Sequence, residues 1–517
     1  MNSKYKNHLL NVNKSNDLKR IRVMVQIGQC SDSVGAKEIL HAIKPLTSSV
    51  DLIETGCDGL CFLAPKVIIE YPNKAVSIFN NVSENDKTEI VNQIQNPTTE
   101  NNRQSALIEN QARIAMDQCG YIEPSNAKEY ILKGGYEGLA KALDIESDKV
   151  IAEIEKSKLL GRGGAYFPTG LKLRAVSKTE SNTKYVVVNA EEGEPGVFKD
   201  RHLLEGVPHR IIEGAIISAY AVNATQIIFY VNAKAKLSLV RLKKAIEESY
   251  DLNILGENIL GSKYSVEATI VQGAGGYVCG EETTLLNTLE GDRREPRIKP
   301  PFPTESGYKA NPTLINNCET LSNIPFILNS GANLFKQIGC ESAKGTKIMS
   351  LSGAVKRPGV FEVPMGTSIA TIIKDFGGGA IDDDENYKNP VSIGGPSSGI
   401  LPHDQLDLPI LPGKIHPTGV MIGAGGIVVL KDKTNILEFI KILAKYNAKE
   451  SCGKCTPCRE GTPRIVNILE KCISSGKTST YQEELSDLAD IVSSASLCGL
   501  GQGAGTPIRS LLHFWPN

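Results

Sequence analysis

No apolar run in this chain reaches the roughly 18 residues that a membrane span requires. The longest candidate, residues 419–430, is broken by glycines and reads as buried strand and turn. A surplus of basic charge is missing too. Lys plus Arg number 57 against 58 Asp plus Glu, which removes the electrostatic footprint of a nucleic-acid or anionic-membrane binder. Residues 1–20 are rich in Asn, Lys and Ser and lack the apolar core of a signal peptide, so they are expected to be a flexible tail. No internal repeat and no nucleophile–base triad stands out, and His202 and His209 read as polar or packing residues. What is present is an ordinary globular composition, 41% hydrophobic and 22% charged over 517 residues, enough for several cores. Twelve cysteines without a secretory signal point to a reducing, cytoplasmic setting in which thiols serve metals.

Four of those cysteines carry the most information. Cys452, Cys455 and Cys458 stand at C-x2-C-x2-C spacing, and Cys498 follows at a distance. Three thiolates at that spacing wrap one corner of a [4Fe–4S] cluster and the fourth closes it. A structural zinc ion is the alternative, although zinc ribbons usually present two separated C-x2-C pairs. Cys119, Cys318, Cys340 and Cys472 read as small buried hydrophobes, and Cys279 as a packing residue.

The hydrophobic pattern divides the chain into a series of units. Residues 21–95 alternate strand (21–27), helix (36–43), strand (51–54), two strands (66–71 and 75–79) and helix (87–94). Residues 96–105 read as a linker. Residues 106–340 mix helices with β-branched runs at 185–188, 226–231 and 265–271, an α/β layer fold with ligand groups at strand ends. Residues 341–430 carry short strands (348–352, 359–362), a helix at 369–374 and a glycine turn, and resemble a β-grasp module. Residues 431–517 show three apolar stripes, Ile436-Phe439-Ile440-Leu443, Ile465-Leu469-Cys472 and Leu485-Leu488-Ile491, and predict a helical bundle bearing the cluster at helix ends.

Several loops look built for a ligand. Gly161-Arg-Gly-Gly-Ala-Tyr-Phe-Pro-Thr-Gly170 allows close backbone approach, with Arg162 and Lys172 adding positive charge, though Tyr166 stands where a dinucleotide fingerprint needs its third glycine. Asn189-Ala-Glu-Glu-Gly-Glu-Pro-Gly196 sets three carboxylates at a strand end. Gly273-Ala-Gly-Gly-Tyr-Val-Cys-Gly-Glu-Glu282 repeats the arrangement, Arg297-Ile-Lys-Pro-Pro-Phe-Pro303 holds a cation and an aromatic on a stiff frame, and Asn316-Asn-Cys-Glu-Thr320 adds amides.

From about residue 106 to the C-terminus these motifs, in this order, resemble the NADH-oxidising flavoprotein (F-type) component of respiratory complex I. They resemble equally the diaphorase (beta) subunits of NAD-dependent formate dehydrogenases and NAD-reducing hydrogenases. The resemblance implies a Rossmann-like FMN- and NADH-binding domain, an SLBB-like β-grasp module and a [4Fe–4S] bundle with Cys452, Cys455, Cys458 and Cys498 as ligands. It implies that Gly161, Arg162, Gly163, Gly164 and Lys172 line the FMN and nucleotide cavity, and that Asn189 and Glu191 lie near the flavin. Glu192 and Glu194 would contact NADH and are the catalytic candidates. Tyr277, Gly280, Glu281 and Glu282 would flank FMN and the nucleotide, Asn316, Asn317 and Thr320 would meet flavin phosphate and ribityl, and Phe167, Lys299 and Phe302 would hold the adenine end. An aromatic often found three positions after Lys172 is Ala175 here. The implied chemistry is hydride transfer between NAD(H) and FMN, then single electrons to [4Fe–4S] and on to partner iron–sulfur subunits in a hetero-oligomer, without nucleic acid or direct membrane insertion.

The N-terminal unit resembles the thioredoxin-like [2Fe–2S] domain fused to some members. Cys57 and Cys61 supply the later thiol pair and only Cys30 stands near the first strand, so either Ser31 or another group completes a cluster or the cluster is lost, the latter being favoured. Such a fused domain leans toward a soluble formate dehydrogenase or hydrogenase that passes electrons to NAD. A flavin-free scaffold is the remaining, distant alternative.

Overall fold

The computed structural model describes residues 5–11, 20–46, 50–73, 75–95, 106–381 and 388–516. The expected linker at 96–105 and most of the expected tail lie outside them. One piece of that tail is helical. Lys6–Asn11 forms a helix whose Leu9 joins the main core and whose Lys6 Nζ sits 2.7 Å from Glu137 Oε1. Two adjacent leucines in a short polar stretch make too little helical periodicity to announce it.

The N-terminal unit is a mixed sheet of β1 (Ile21–Gln26), β2 (Val50–Thr55), β3 (Val67–Glu70) and β4 (Val76–Phe79) in the order β2-β1-β3-β4. The β1–β2 pair is parallel and the others antiparallel. Val23, Val25 and Ile27 alternate toward a core completed by Ile39 and Ile43 of one helix and Ile90 and Ile94 of another.

A second sheet is wholly parallel: β5 (Tyr185–Ala190), β6 (Gln226–Val231), β7 (Glu267–Gln272) and β8 (Thr313–Asn317), ordered β7-β6-β5-β8. Its near-continuous apolar runs follow from burial on both faces. Val186, Val188, Phe229 and Leu314 enter the main core with the helices Pro208–Val222 and Cys318–Ser330, while Tyr185, Val187, Ile228 and Ile315 face the helix Glu282–Leu289. Because every strand runs the same way, the loops after β5 and β7 and the helix start after β8 emerge on one edge.

The third sheet joins β9 (Thr346–Gly353), β10 (Gly359–Pro364), β11 (Val391–Ile393), β12 (Gly399–Leu401) and β13 (Gly426–Val429) in the order β10-β9-β13-β11-β12. The helix expected at 369–374 is one α turn, Ile369–Thr371, running into a π turn, Ile372–Phe376. Widening the turn lets Ile369, Ile372, Ile373 and Phe376 all reach the core. The C-terminal part is helical, with Ile436–Glu450, Thr456–Ser475, Gln482–Ala495, Gly499–Ala504 and Thr506–Phe514. The third apolar stripe is corrected: Leu485, Ala489 and Val492 are buried, whereas Ile491 is 57% exposed, because the helix turns the i, i+4, i+7 positions inward.

Candidate functional site

The loops leaving β5 and β7 interlock beside the end of β8, which passes directly into the helix Cys318–Ser330. Asn189 Nδ2 donates to Gly280 O at 2.9 Å, and a Cβ on Gly193 would stand 3.2 Å from Tyr277 Cα, so the loops after β5 and β7 touch backbone to backbone. The glycine loop closes over β8 from the other side. Gly161 N donates to Phe167 O at 2.9 Å, Arg162 N to Thr320 Oγ1 at 2.8 Å, and a Cβ on Gly163 would come within 3.1 Å of Asn317 Cβ. Gly164, at φ +117°, approaches the turn at Gly423 and Ala424 of the third sheet, to which Tyr166 Oη also donates, at 3.0 Å from Gly423 O.

The charges are distributed unevenly between ligand-facing and structural work. Lys172 Nζ donates to Ile315 O at 3.1 Å and lies 3.4 Å from Glu282 Oε2, and Lys299 Nζ lies 3.3 Å from Glu281 Oε1 and 3.5 Å from Glu282 Oε1. Glu281 also caps the helix Glu282–Leu289, accepting from Thr283 N at 3.0 Å and Thr284 N at 2.9 Å. Glu192 accepts from Asp200 N and Arg201 N, and so holds the start of the helix Lys199–Gly206. Asn317 caps Cys318–Ser330 and donates to Asp200 Oδ2 at 2.6 Å. Arg162 departs from the sequence reading. Its guanidinium is fully buried and donates to the carbonyls of Leu160, Lys344 and Thr346, a strut to the third sheet that does not face the cavity.

Burial pushes the carboxyls of Glu191, Glu192 and Glu194 up to about 7, with Asp200 adding to the effect at Glu192. Buried polar atoms at this edge without a partner among the described residues include Glu191 Oε2, Glu194 Oε1, Asn316 Nδ2 and Thr169 Oγ1. Unpartnered groups of that kind are costly unless a polar ligand meets them, so the residues present fit a flavin with its hydrogen-bonding ring edge and phosphate. Phe167 and Phe302 are half exposed, at 52% and 50%, and Ala175 is exposed with no ring to offer.

The four C-terminal cysteines converge on the same place. Cys455 precedes the helix Thr456–Ser475, Cys458 lies in its first turn, and Cys498 precedes Gly499–Ala504. With Cys452 they pack in one small cluster with Leu500, Tyr277 and Val278. A set of four thiols on helix ends in an apolar pocket fits an iron–sulfur cube. Tyr277 is tied to the bundle: its N–H donates to Glu450 Oε2 at 2.9 Å, and its ring meets Tyr446 edge-on at 5.9 Å. Tyr446, Glu450 and Val278 were missed in the sequence, where the helix 436–450 offered only its apolar stripe. Also missed was a buried ion array under the loops, in which Glu319 Oε2 lies 3.0 Å from Lys199 Nζ and 2.6 Å from Lys347 Nζ. Lys347 is held down at about 8 by burial, against the pull of Glu319.

Of the remaining thiols, Cys119, Cys279, Cys318 and Cys472 are buried, but Cys340 is partly exposed beside Ser342. His202 and His209 are buried, and burial holds them down at about 3 and about 4. In the N-terminal unit the Ser31 hydroxyl is turned into the backbone. Its Oγ donates to Gln26 O and Gly28 O and accepts from Gly28 N at 2.7 Å.

Comparison with known proteins follows these outlines. The family description Nuo51 FMN-binding domain matches residues 154–326, the SLBB domain residues 348–401, and the NADH-ubiquinone oxidoreductase-F iron-sulfur binding region residues 438–517. The chain is 42% identical over 407 residues to the NADP-reducing hydrogenase subunit HndC of Solidesulfovibrio fructosivorans, covering 79% of this chain and 82% of that one. It is 40% identical to an F-type subunit of the NADH-quinone oxidoreductase of Rhizobium meliloti, covering 74% and 91%, and 38% identical to the F-type subunit of the Escherichia coli NADH-quinone oxidoreductase, covering 76% and 88%. Among solved structures, a chain of the NAD+-reducing [NiFe]-hydrogenase in the H2-reduced state superposes with a TM-score of 0.68 at 26% identity, over 98% of this chain and 86% of that one.

Proposed function

The chain belongs to the family of the F-type flavoproteins of NADH-quinone oxidoreductase, and on that premise we propose how its own residues divide the work of taking electrons from NADH. It is an oxidoreductase of the NADH dehydrogenase type, an electron-input subunit with an FMN-binding domain and a [4Fe–4S] region. FMN, when bound, supplies the conversion of a hydride pair into the single electrons that an iron–sulfur cluster accepts.

Glu191, Glu194 and Asn316 meet the polar edge of the flavin with the atoms that lack protein partners. Gly161, Gly163 and Gly164 let backbone approach the ligand, and Thr320 fixes that loop through Arg162 N. Lys172 and Lys299, each already beside Glu282, bind nucleotide and flavin phosphates, and the paired carboxylates keep those cations placed while the site is empty. Phe167 and Phe302 offer their exposed faces to adenine. Glu192 and Asn317 act through the helices they cap, and Asn189 and Gly280 hold two loops together. Cys452, Cys455, Cys458 and Cys498 ligate the cluster as thiolates.

The single observation that carries this reading is the packing of those four cysteines against Tyr277 and Val278, on the loop that also borders Glu191. Donor site and cluster thus share one wall, as one-electron transfer requires. NADH–ferricyanide turnover by the isolated chain, after reconstitution with FMN and iron, tests it; flavin-loaded protein that NADH fails to reduce overturns it. Cys455→Ser should abolish the cluster's spectroscopic signals and leave flavin reduction by NADH measurable.

A second reading has an observation of its own. The NAD+-reducing [NiFe]-hydrogenase chain superposes over 98% of this chain, the N-terminal unit included, and by sequence the hydrogenase subunit HndC aligns over 79% of it against 74% and 76% for the two NADH-quinone oxidoreductase relatives. The extra length favours a hetero-oligomer of the NAD(P)-reducing hydrogenase or formate dehydrogenase kind, with electrons flowing toward the nucleotide. Among the described residues no helix is long and apolar enough to cross a membrane, and we read the location as cytoplasmic.

A further inference from the structure

Three thiols gather in the N-terminal unit at its seam with the parallel-sheet unit. Cys61 neighbours Cys30 and Cys57, whose thiols, together with burial, push its own well up. Cys30 is exposed, and Cys57 and Cys61 are half-buried behind it. Gly59 N donates to Cys57 Sγ at 3.3 Å, which engages that sulfur in its own turn. Arg201 reaches across the seam, donating to Gln29 Oε1 at 2.9 Å and to Cys30 Sγ at 3.9 Å. With Ser31 turned into the backbone, no metal-holding set of side chains is gathered here among the described residues, and a [2Fe–2S] cluster asks for four ligands. Buried packing thiols are a poor comparison, because Cys119, Cys318 and Cys472 are shut away from solvent and this trio is not.

We propose that Cys30 and Cys61 form a thiol–disulfide exchange site that delivers two electrons to a low-molecular-weight disulfide. Cys30 is the thiol that a solute can reach, and the neighbouring Cys61 thiol first, with the Arg201 guanidinium 3.9 Å away adding to it, favours the thiolate, the nucleophilic form. Its sulfur attacks one sulfur of the solute disulfide, whose S–S bond breaks and releases one thiolate. Cys61 then loses its proton to solvent and attacks Cys30 Sγ in the mixed disulfide, expelling the second thiolate. The two protons given up by the cysteines are taken by the two released thiolates. One intramolecular disulfide forms, and the solute is reduced to two thiols. Cys57 remains a thiol throughout.

The test uses the full chain, purified anaerobically, freed of reductant and incubated with oxidised glutathione. The sample is acid-quenched, alkylated and digested without reduction, and its peptides are weighed. The expected product is a peptide pair joined through Cys30 and Cys61, released by dithiothreitol, absent from Cys30→Ser and retained in Cys57→Ser. A glutathione adduct that persists on Cys30 with Cys61 alkylated overturns the proposal, as does a link through Cys57 or full alkylation of all three thiols. Purified protein with roughly six irons per chain and a [2Fe–2S] spectrum would assign the trio to a metal instead and overturn it equally. The wild-type peptide map decides the matter even if a serine variant fails to fold. Its readout is a mass, so failure of the flavin reading leaves it untouched.

Discussion

Glu194 shows how far burial alone can change a side chain. Its carboxyl is pushed up to about 7 from an ordinary 4.5, mainly by loss of water, against the opposing pull of the Ala424 backbone, Lys199 and Lys347. With the folded value above the unfolded one, the folded chain binds the proton more tightly. The stability that this contributes is complete below about 4.5, declines as pH rises through 7, and is gone above it. Glu194→Gln keeps the size and polarity of the side chain and cannot ionise. In flavin-free protein it should therefore exceed wild type in stability by about 2 kcal/mol at pH 8, a gap that narrows as pH falls toward 5. Thermal unfolding across that range checks this; a gap independent of pH would show that ionisation is not the cause. Arg162 makes the opposite kind of point. A positive residue in a glycine loop reads as a phosphate binder, yet its partners are the carbonyls of Thr346 and Lys344, more than 180 residues away. No local pattern announces a backbone acceptor at that separation, which is why the sequence left this role invisible. Arg162→Met should lower stability by about 3 kcal/mol, since three carbonyls lose their donor, while KM for NADH stays unchanged. A loss of flavin affinity without a change in Tm would return the side chain to the ligand.

At the scale of elements, what was legible is what repeats locally. The β-branched runs of β5 and β6 announce themselves because both sheet faces are covered, and the four thiols were found from spacing and now share one pocket. Less legible was the helix Ile436–Glu450 as a clamp, because its contribution comes from the polar side: Tyr446 Oη donates to Gly193 O at 3.0 Å and Glu450 accepts from Tyr277 N. Its apolar stripe explains only how it joins the bundle. Through this clamp the acid loop after β5 and the loop after β7 are both fastened to the element that precedes the cysteines. Glu450→Ala should free the Tyr277 backbone and slow electron arrival at the cluster by on the order of tenfold. Flavin reduction by NADH should hold its rate. Rapid-mixing spectroscopy separates the two steps, and equal slowing of both would mean that the clamp serves the nucleotide side instead.

For the whole molecule, the question is how the N-terminal sheet stays seated on the rest. Its seam is unusually close. A Cβ on Gly56 would stand 2.4 Å from Gly206 Cα and 3.0 Å from Glu205 O, and one on Gly59 would stand 2.4 Å from Val360 O. Polar contacts fix the register: Gln29 N donates to Glu205 Oε2 at 3.0 Å, Arg241 to Ile27 O at 2.9 Å, and Arg113 to Asp58 O at 2.8 Å. Asp58 is itself fully buried, and the Lys66 ammonium beside it outweighs the burial and holds its carboxyl below the usual range. Because glycine is the residue that permits backbone to meet backbone, Gly56→Ala should pry the seam without touching any residue of the parallel-sheet site. Hydrogen exchange should then quicken in the turns that carry Cys30 and Cys57 and at the start of the helix Lys199–Gly206, where Arg201 loses its partner Gln29. NADH–ferricyanide turnover should stay at the wild-type level, since the atoms a methyl at Gly56 would meet belong to Glu205 and Gly206, neither of them a proposed flavin or nucleotide residue. Lost turnover with exchange unchanged would mean that the first sheet reaches the reaction by a route other than this seam. Faster exchange together with lost turnover would mean that Glu192, which holds the first N–H groups of that helix, transmits the disturbance to the acid loop.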